Sequence, residues 1–338
     1  MKIDFAQLLT SFLSSYLPNF KNVSANTISS YCDTFRIFLR YCRDILGIPV
    51  SKITMQSMDD EIIKKFLSWL ETEKGCSVST RNQRLMAFRS LFRYIQVESP
   101  KNMLLCQRIL NIPVKRGKSH VVKYLQKNEV QILLSQPDTS TTDGRRDLTL
   151  LCALYDTGAR VQELLDLTVH DVRIDSPSYV RLTGKGRKQR EVPLLSKTAS
   201  LMQKYINEHH LLGPEKQCYP LFPNRRGQKM SRSGVEYILA KYAKLAAEKH
   251  LGFPINISPH VLRHTKAMHL LQADVNIIYI RDILGHASIN TTQIYASANT
   301  EMKRAALQKL GDTDLPNVPS WAKDADLLTW LKDFGKAK

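Results

Sequence analysis

The chain has 338 residues, with 49 Lys and Arg against 31 Asp and Glu, for a formal net charge of +18. That length allows two domains, each burying its own core, and 43% hydrophobic with 24% charged residues is the balance of an ordinary globular protein. No apolar run approaches the roughly 20 residues that span a bilayer, which excludes a helical membrane protein.

The opening stretch MKIDFAQLLTSFLSSYL has an acid at Asp4 and no small-residue cleavage site, so it reads as an amphipathic helix rather than a secretory leader. SANTISSYCDTFRIFLRYCRDILG sets Ile28, Tyr31, Phe35, Phe38, Leu39, Cys42 and Ile45 at helical spacing, between a capping Ser24 and a terminating Gly47. DDEIIKKFLSWLETEKG repeats the pattern, with acids first and Gly75 last, as the helix dipole favours. In SVSTRNQRLMAFRSLFRYIQ the stripe is Leu85, Phe88, Leu91, Phe92 and Ile95. Arg81, Arg84, Arg89 and Arg93 lie largely off it, either solvated or facing a groove.

NIPVKRGKSHVVKYL then breaks the helical period with a proline, a glycine and basic residues, the composition of a linker. The expected division is a helical domain over 1–111, a basic linker over 112–121, a second domain over 122–311 and a tail over 312–338. Residues 1–120 hold 18 Lys and Arg against 9 Asp and Glu; subtraction from 49 and 31 leaves 31 against 22, so each part carries +9. Charge shared this evenly suits two domains that both touch a polyanion, most simply double-stranded DNA.

Beyond the linker, TLLCALYDTGARVQELLDL reads as two helices about Gly158. YVRLTGKGRKQREVPL alternates on both sides of a Gly-rich turn, Val180 and Leu182 facing Val192 and Leu194, and predicts a β-hairpin. Helices resume at Ser231 and extend through SWAKDADLLTWLKDFGKAK, where Leu327, Trp330, Leu331 and Phe334 recur at helical spacing after Trp321. The six cysteines form no Cys-x-x-Cys pair, which points to reduced thiols and a cytoplasmic setting rather than a disulfide frame or a zinc site.

Several residues carry chemistry. His260 and Arg263 share a helix face, where imidazole can move a proton and guanidinium can fork onto phosphate oxygens. Arg160 falls at the start of a helix, a place that disfavours a cation unless an anion bridges the two; pairing with Glu163 is the bland alternative. Lys185, between Gly184 and Gly186 at the hairpin tip, offers a mobile ammonium together with Arg187, Lys188 and Arg190; the Walker spacing is absent, so this is no nucleotide loop. His286 follows a capping Gly285, and Tyr295 comes nine residues later. A tyrosine so placed is ordinarily core or interface, and Tyr279 is read in that way.

Singly these features are common; in order they resemble one family. TGARVQELLDL, LTGKGRKQREVPL, PHVLRHTKAMHLLQ and ILGHASINTTQIYA are similar to the tyrosine recombinases, or phage integrases, and SANTISSYCDTFRIFLRYC with STRNQRLMAFRSLFRYI is similar to their helical core-binding domain. The resemblance implies a mainly α fold with a small antiparallel β-sheet, arranged as a two-domain C-shaped DNA clamp. It places the two arginines at Arg160 and Arg263, the hairpin lysine at Lys185, the histidines at His260 and His286, the nucleophile at Tyr295 and a supporting acid at Glu163. It further implies cleavage through a 3′-phosphotyrosyl link with no metal or cofactor, and a homo-tetramer on two duplexes. Arg81, Arg84, Lys115, Arg116, Arg187 and Lys188 are candidate DNA contacts.

Two departures shape the finer reading. Lys266 stands where dimer-resolving members usually carry an aromatic residue, and the chain runs some forty residues past Tyr295. Both lean toward the integrase or transposase of a mobile element, with the tail contacting a neighbouring subunit or packing on its own domain. The alternatives are a chromosome or plasmid dimer resolvase, a type IB topoisomerase-like nicking and closing enzyme, and a DNA-binding accessory protein with a dead site.

Overall fold

The computed structural model describes residues 4–117, 122–286, 288–289, 291–293 and 295, all but the Lys185 side chain. The tail over 312–338 and linker residues 118–121 lie outside the described residues. The chain divides into two compact units, Met1–His120 and Val121–Lys338.

The first unit is helical. Helix α1 (Phe5–Ser11) is capped by Asp4, whose side chain accepts from the Phe5 amide, and continues as wider π-turns over Phe12–Phe20. It is followed by α2 (Ala25–Asp44), α3 (Asp60–Thr72), α4 (Val78–Glu98) and α5 (Met103–Leu110). Asp59 caps α3 through the Ile62 amide and Ser77 caps α4 through the Thr80 amide. Gly47 and Gly75 take positive φ after α2 and α3, as the terminating glycines predict. The periodic stripes converge: Phe38, Phe66 and Phe88 meet edge to face around the centre, with Leu85, Leu91, Phe92 and Ile95 buried alongside. Ile45, expected in that core, is 55% exposed because α2 has ended there.

The linker's first half belongs to this unit. Arg89 donates to the Ile112 carbonyl (2.6 Å) and Arg81 to the Pro113 carbonyl (3.0 Å). Asn82 exchanges two hydrogen bonds with the Lys115 backbone, and Lys115 pairs with Glu71 at 2.6 Å. Arg81 is buried and Arg84 reaches the Ser30 carbonyl and the Thr34 hydroxyl. The row of arginines read as facing a groove is thus largely turned inward: Arg81, Arg84 and Arg89 tie α4 to the chain around it, and Arg93 is exposed.

The second unit contains α6 (Lys127–Leu134), α7 (Thr142–Thr157), α8 (Val161–Leu165), a three-stranded sheet, α9 (Ser196–Glu208), α10 (Arg232–Lys249), α11 (Pro259–Gln272) and α12 (Ile277–Leu284). The sheet order is β1 (Val172–Arg173), β2 (Tyr179–Thr183), β3 (Gln189–Pro193), antiparallel throughout. Val180 pairs with Val192 and Leu182 with Arg190; Val180, Leu182, Val192 and Leu194 are all buried, so the alternation read from sequence faces the core. Strand β1, too short for a periodic signal, is an addition to the expected hairpin. The core joins Leu150, Leu151 and Leu154 of α7 to Met202 and Tyr205 of α9, Leu239 and Tyr242 of α10, and Leu262 of α11. A smaller cluster packs Ala267, Met268 and Leu271 against Ile280, Leu284 and Tyr295.

Candidate active site

The site forms where three helices of the second unit end or begin. Helix α7 ends on Gly158, whose φ of +57° turns the chain sharply; a Cβ there would lie 2.7 Å from the Leu284 side chain, so glycine is required by both conformation and space. Two residues on, Arg160 caps α8, and its backbone N–H donates to Glu163 (2.9 Å). Helix α12 ends on Gly285 (φ +64°), with the His286 amide returning to the Arg281 carbonyl, a Schellman closure.

Arg263, on α11, fills the junction. It is 4% exposed, donating to the Gly158 carbonyl (2.6 Å) and the Leu284 carbonyl (2.5 Å). Both acceptors stand at helix C-termini, where the partial negative charge of the backbone offsets a buried cation. Burial, and then repulsion from Arg160, lowers its pKa to about 10, which still leaves it charged at neutral pH. Arg160 lies beside it, donating to Glu163 (2.6 Å) and the Gly285 carbonyl (3.3 Å). Glu163 is buried; burial alone would raise its pKa, but hydrogen bonds from Arg190 and Arg160 outweigh this and hold the carboxyl below its ordinary value.

The hairpin reaches the same place through Arg190. Grouped in the sequence with the mobile cations of the hairpin tip, this residue is instead turned inward, donating to Glu163 (2.7 Å) and the Ile283 carbonyl (2.8 Å). Lys185 opens the tight turn between β2 and β3, where Gly186 has φ +76°. Arg160, Gly184, Lys188, Arg190, Gly285 and His286 line one open cleft, so the backbone on either side of Lys185 borders the arginines. Arg187 and Lys188 are exposed, as is Arg116 in the first unit.

The remaining groups gather at α11 and after α12. Tyr295 is 2% exposed, and its hydroxyl lies 2.8 Å from Nδ1 of His264. Burial raises its pKa against the pull of Arg263 and Arg160. His260, read from sequence as the proton-moving imidazole, is exposed one turn earlier on α11, and His264 carried no signal in the sequence. His286 stacks near Tyr295 (centroids 6.3 Å apart, 16° between planes) and engages the Thr292 hydroxyl through Nδ1 at 2.9 Å. Burial and then the Arg263 and Arg160 charges drive its pKa down to about 4. Lys266 points away from this centre, over the Tyr155 ring and 3.5 Å from Asp156. Tyr279 is 65% exposed rather than core.

Residues 123–302 match the phage integrase family and residues 8–99 match its N-terminal SAM-like domain. The chain belongs to the tyrosine recombinases of the phage integrase family. It is 39% identical over 306 residues to y4rC of Sinorhizobium fredii, named as an integrase/recombinase, covering 90% of this chain and 91% of that protein. It is 31% identical over 300 residues to the tyrosine recombinase XerC of Pelotomaculum thermopropionicum, covering 87% and 94%. In fold this recombinase is similar to the Tn1549 transposon integrase in complex with transposon right end DNA, with a TM-score of 0.68 at 20% identity over 89% of this chain and 98% of that one. It is also similar to the XerH recombinase bound to its difH substrate, with a TM-score of 0.66 at 22% identity over 86% and 82%. The recombinase thus has the mainly helical, small-sheet architecture and the enzyme class that its sequence motifs implied.

Proposed function

We propose that this recombinase cuts and rejoins duplex DNA with Tyr295 as its nucleophile, serving the integration or transposition of a mobile element. The observation that carries the reading is the convergence, within one subunit, of Arg160, Arg263, His286 and the Tyr295 hydroxyl around the C-terminus of α12. Two adjacent guanidiniums held on backbone carbonyls are poised for the non-bridging oxygens of a phosphodiester, whose charge builds in the pentacoordinate transition state.

In cleavage, Tyr295 Oη bonds to phosphorus as the bond from phosphorus to the 5′ oxygen breaks. The phenolic proton passes to a histidine, and the freed 5′ oxygen takes a proton from Lys185. His260 serves as acid and base on the open side of the site, and neutral His286 donates a hydrogen bond to the phosphate. The phosphotyrosyl ester keeps the bond energy, so attack by a 5′-hydroxyl from another duplex rejoins the strand without ATP. Exchange between two duplexes calls for four copies of the chain. The similarity to y4rC and the lysine at position 266 favour the mobile-element role; the match to XerC supports dimer resolution as the second reading.

The test is a nicked suicide duplex carrying a candidate site. A covalent adduct at Tyr295 that persists in EDTA and is lost in Tyr295→Phe is the expected result; an adduct elsewhere refutes the assignment. Supercoil relaxation of any plasmid without recombinant products would point to a topoisomerase instead.

A further inference from the structure

We infer that His264 is a catalytic residue of this recombinase, the base that takes the phenolic proton from Tyr295 through Nδ1. The inference rests on the reading of Tyr295 as nucleophile. Its footing is a contact: Nδ1 lies 2.8 Å from the hydroxyl, with the ring centroids 5.6 Å apart. Tyr295 is 2% exposed, so bulk water is not at hand to receive the proton.

The other imidazoles are differently engaged. His260 is exposed, and His286 has its Nδ1 on the Thr292 hydroxyl. Positions 260, 263 and 264 share one face of α11, so the helix presents Arg263 to the phosphate and His264 to the nucleophile together. Among the described residues, the charged and titratable groups around His264 are His260 and Arg263 on its own helix, Tyr295, and His286 beyond α12. Burial, then His260 and Arg263, hold its pKa below the ordinary imidazole value, so at neutral pH the ring is uncharged and Nδ1 can accept.

The step balances. As Oη bonds to phosphorus, the Oη–H proton moves to Nδ1, the imidazole becomes imidazolium, and the 5′ oxygen leaves with a proton from the opposite side. In rejoining, the same imidazolium returns the proton to the departing phenolate. A phenol whose pKa burial has raised above the ordinary value is a weak nucleophile unless its proton is removed during attack, which is the service a positioned base performs.

The experiment measures single-turnover cleavage of the suicide duplex against pH. It compares the wild type, His264→Asn, and each of these with 3-fluorotyrosine at position 295. Asparagine can keep a hydrogen bond near the Nδ1 position but cannot take a proton. Wild-type cleavage should fall on the acid side as His264 protonates, and fluorination should leave that limb in place. His264→Asn should lose about 10²-fold at pH 7, with the deficit closing as pH rises and closing earlier with fluorotyrosine, while noncovalent DNA binding is unchanged. A deficit equal at every pH, or an acid limb in the wild type that moves with the phenol's acidity, overturns the inference; the second criterion needs no folded variant. A wild type that forms no Tyr295 adduct would refute the nucleophile itself, a different failure.

Discussion

Glu163 and Arg190 meet at 2.7 Å, and the other oxygen of the same buried carboxylate holds Arg160 at 2.6 Å. One acid on α8 therefore fixes a guanidinium of the phosphate site and the strand that follows the lysine-bearing turn. Removing its charge leaves two arginines facing each other without compensation. We expect Glu163→Gln to lower the unfolding free energy by about 2–4 kcal/mol and to slow cleavage at least tenfold, with DNA affinity little altered. Denaturant titration and suicide-substrate kinetics check this together.

Gly285 has no room for a side chain. A Cβ would lie 2.6–3.0 Å from the Arg190 guanidinium, and the φ of +64° is strained for any L side chain. Gly285→Ala should cost about 1–2 kcal/mol and displace Arg190, reducing cleavage more than Arg190→Lys does. Equal activity in Gly285→Ala and wild type would show that the packing of Arg190 is immaterial.

Arg81 was a candidate DNA contact, yet it is buried with its guanidinium on the Pro113 carbonyl. Arg81→Ala should destabilise the first unit by about 1–3 kcal/mol while leaving the salt dependence of DNA binding unchanged. Replacing exposed Arg116 or Lys188 should instead reduce the slope of log K against log salt by about one for each DNA phosphate that is no longer neutralised.

His286, held at about 4 in the fold against 6.5 when unperturbed, binds a proton more readily in the unfolded chain. Stability is therefore complete above about pH 6.5 and declines as pH falls toward 4, by up to about 3 kcal/mol. His260, His264, His209 and His269 are shifted the same way and steepen the loss. A phosphate beside His286 should raise its pKa again, so DNA binding near pH 5 should take up protons. Calorimetry in buffers of differing ionisation enthalpy measures that uptake, and its absence would place the phosphate away from His286.

Much of this fold is legible in the sequence because its signals are local. The stripe from Leu85 to Ile95, the glycine stops at 47, 75, 158 and 285, and the alternation about Gly184 each arise within a few residues and survive into the structure. The joining of Arg160 and Arg263 was available only through family resemblance, because the carbonyls that seat Arg263 come from segments 105 and 21 residues away. Arg81, Arg84 and Arg190 were misread for a related reason. A long cation off an apolar stripe looks solvated until a distant carbonyl or carboxylate is brought to it. His264 escaped because a histidine next to an arginine carries no periodic or spacing signal; only the placement of Tyr295 gives it a task.

Arg263 closes the meeting point of α7, α11 and α12 with the same guanidinium it would offer to DNA. Withdrawing that charge would unpin the domain's own framework, so the arginine cannot serve as a switch that turns cutting on and off. Control of cutting falls instead to the tyrosine, which a single rotation away from His264 disarms by parting the phenol from its base.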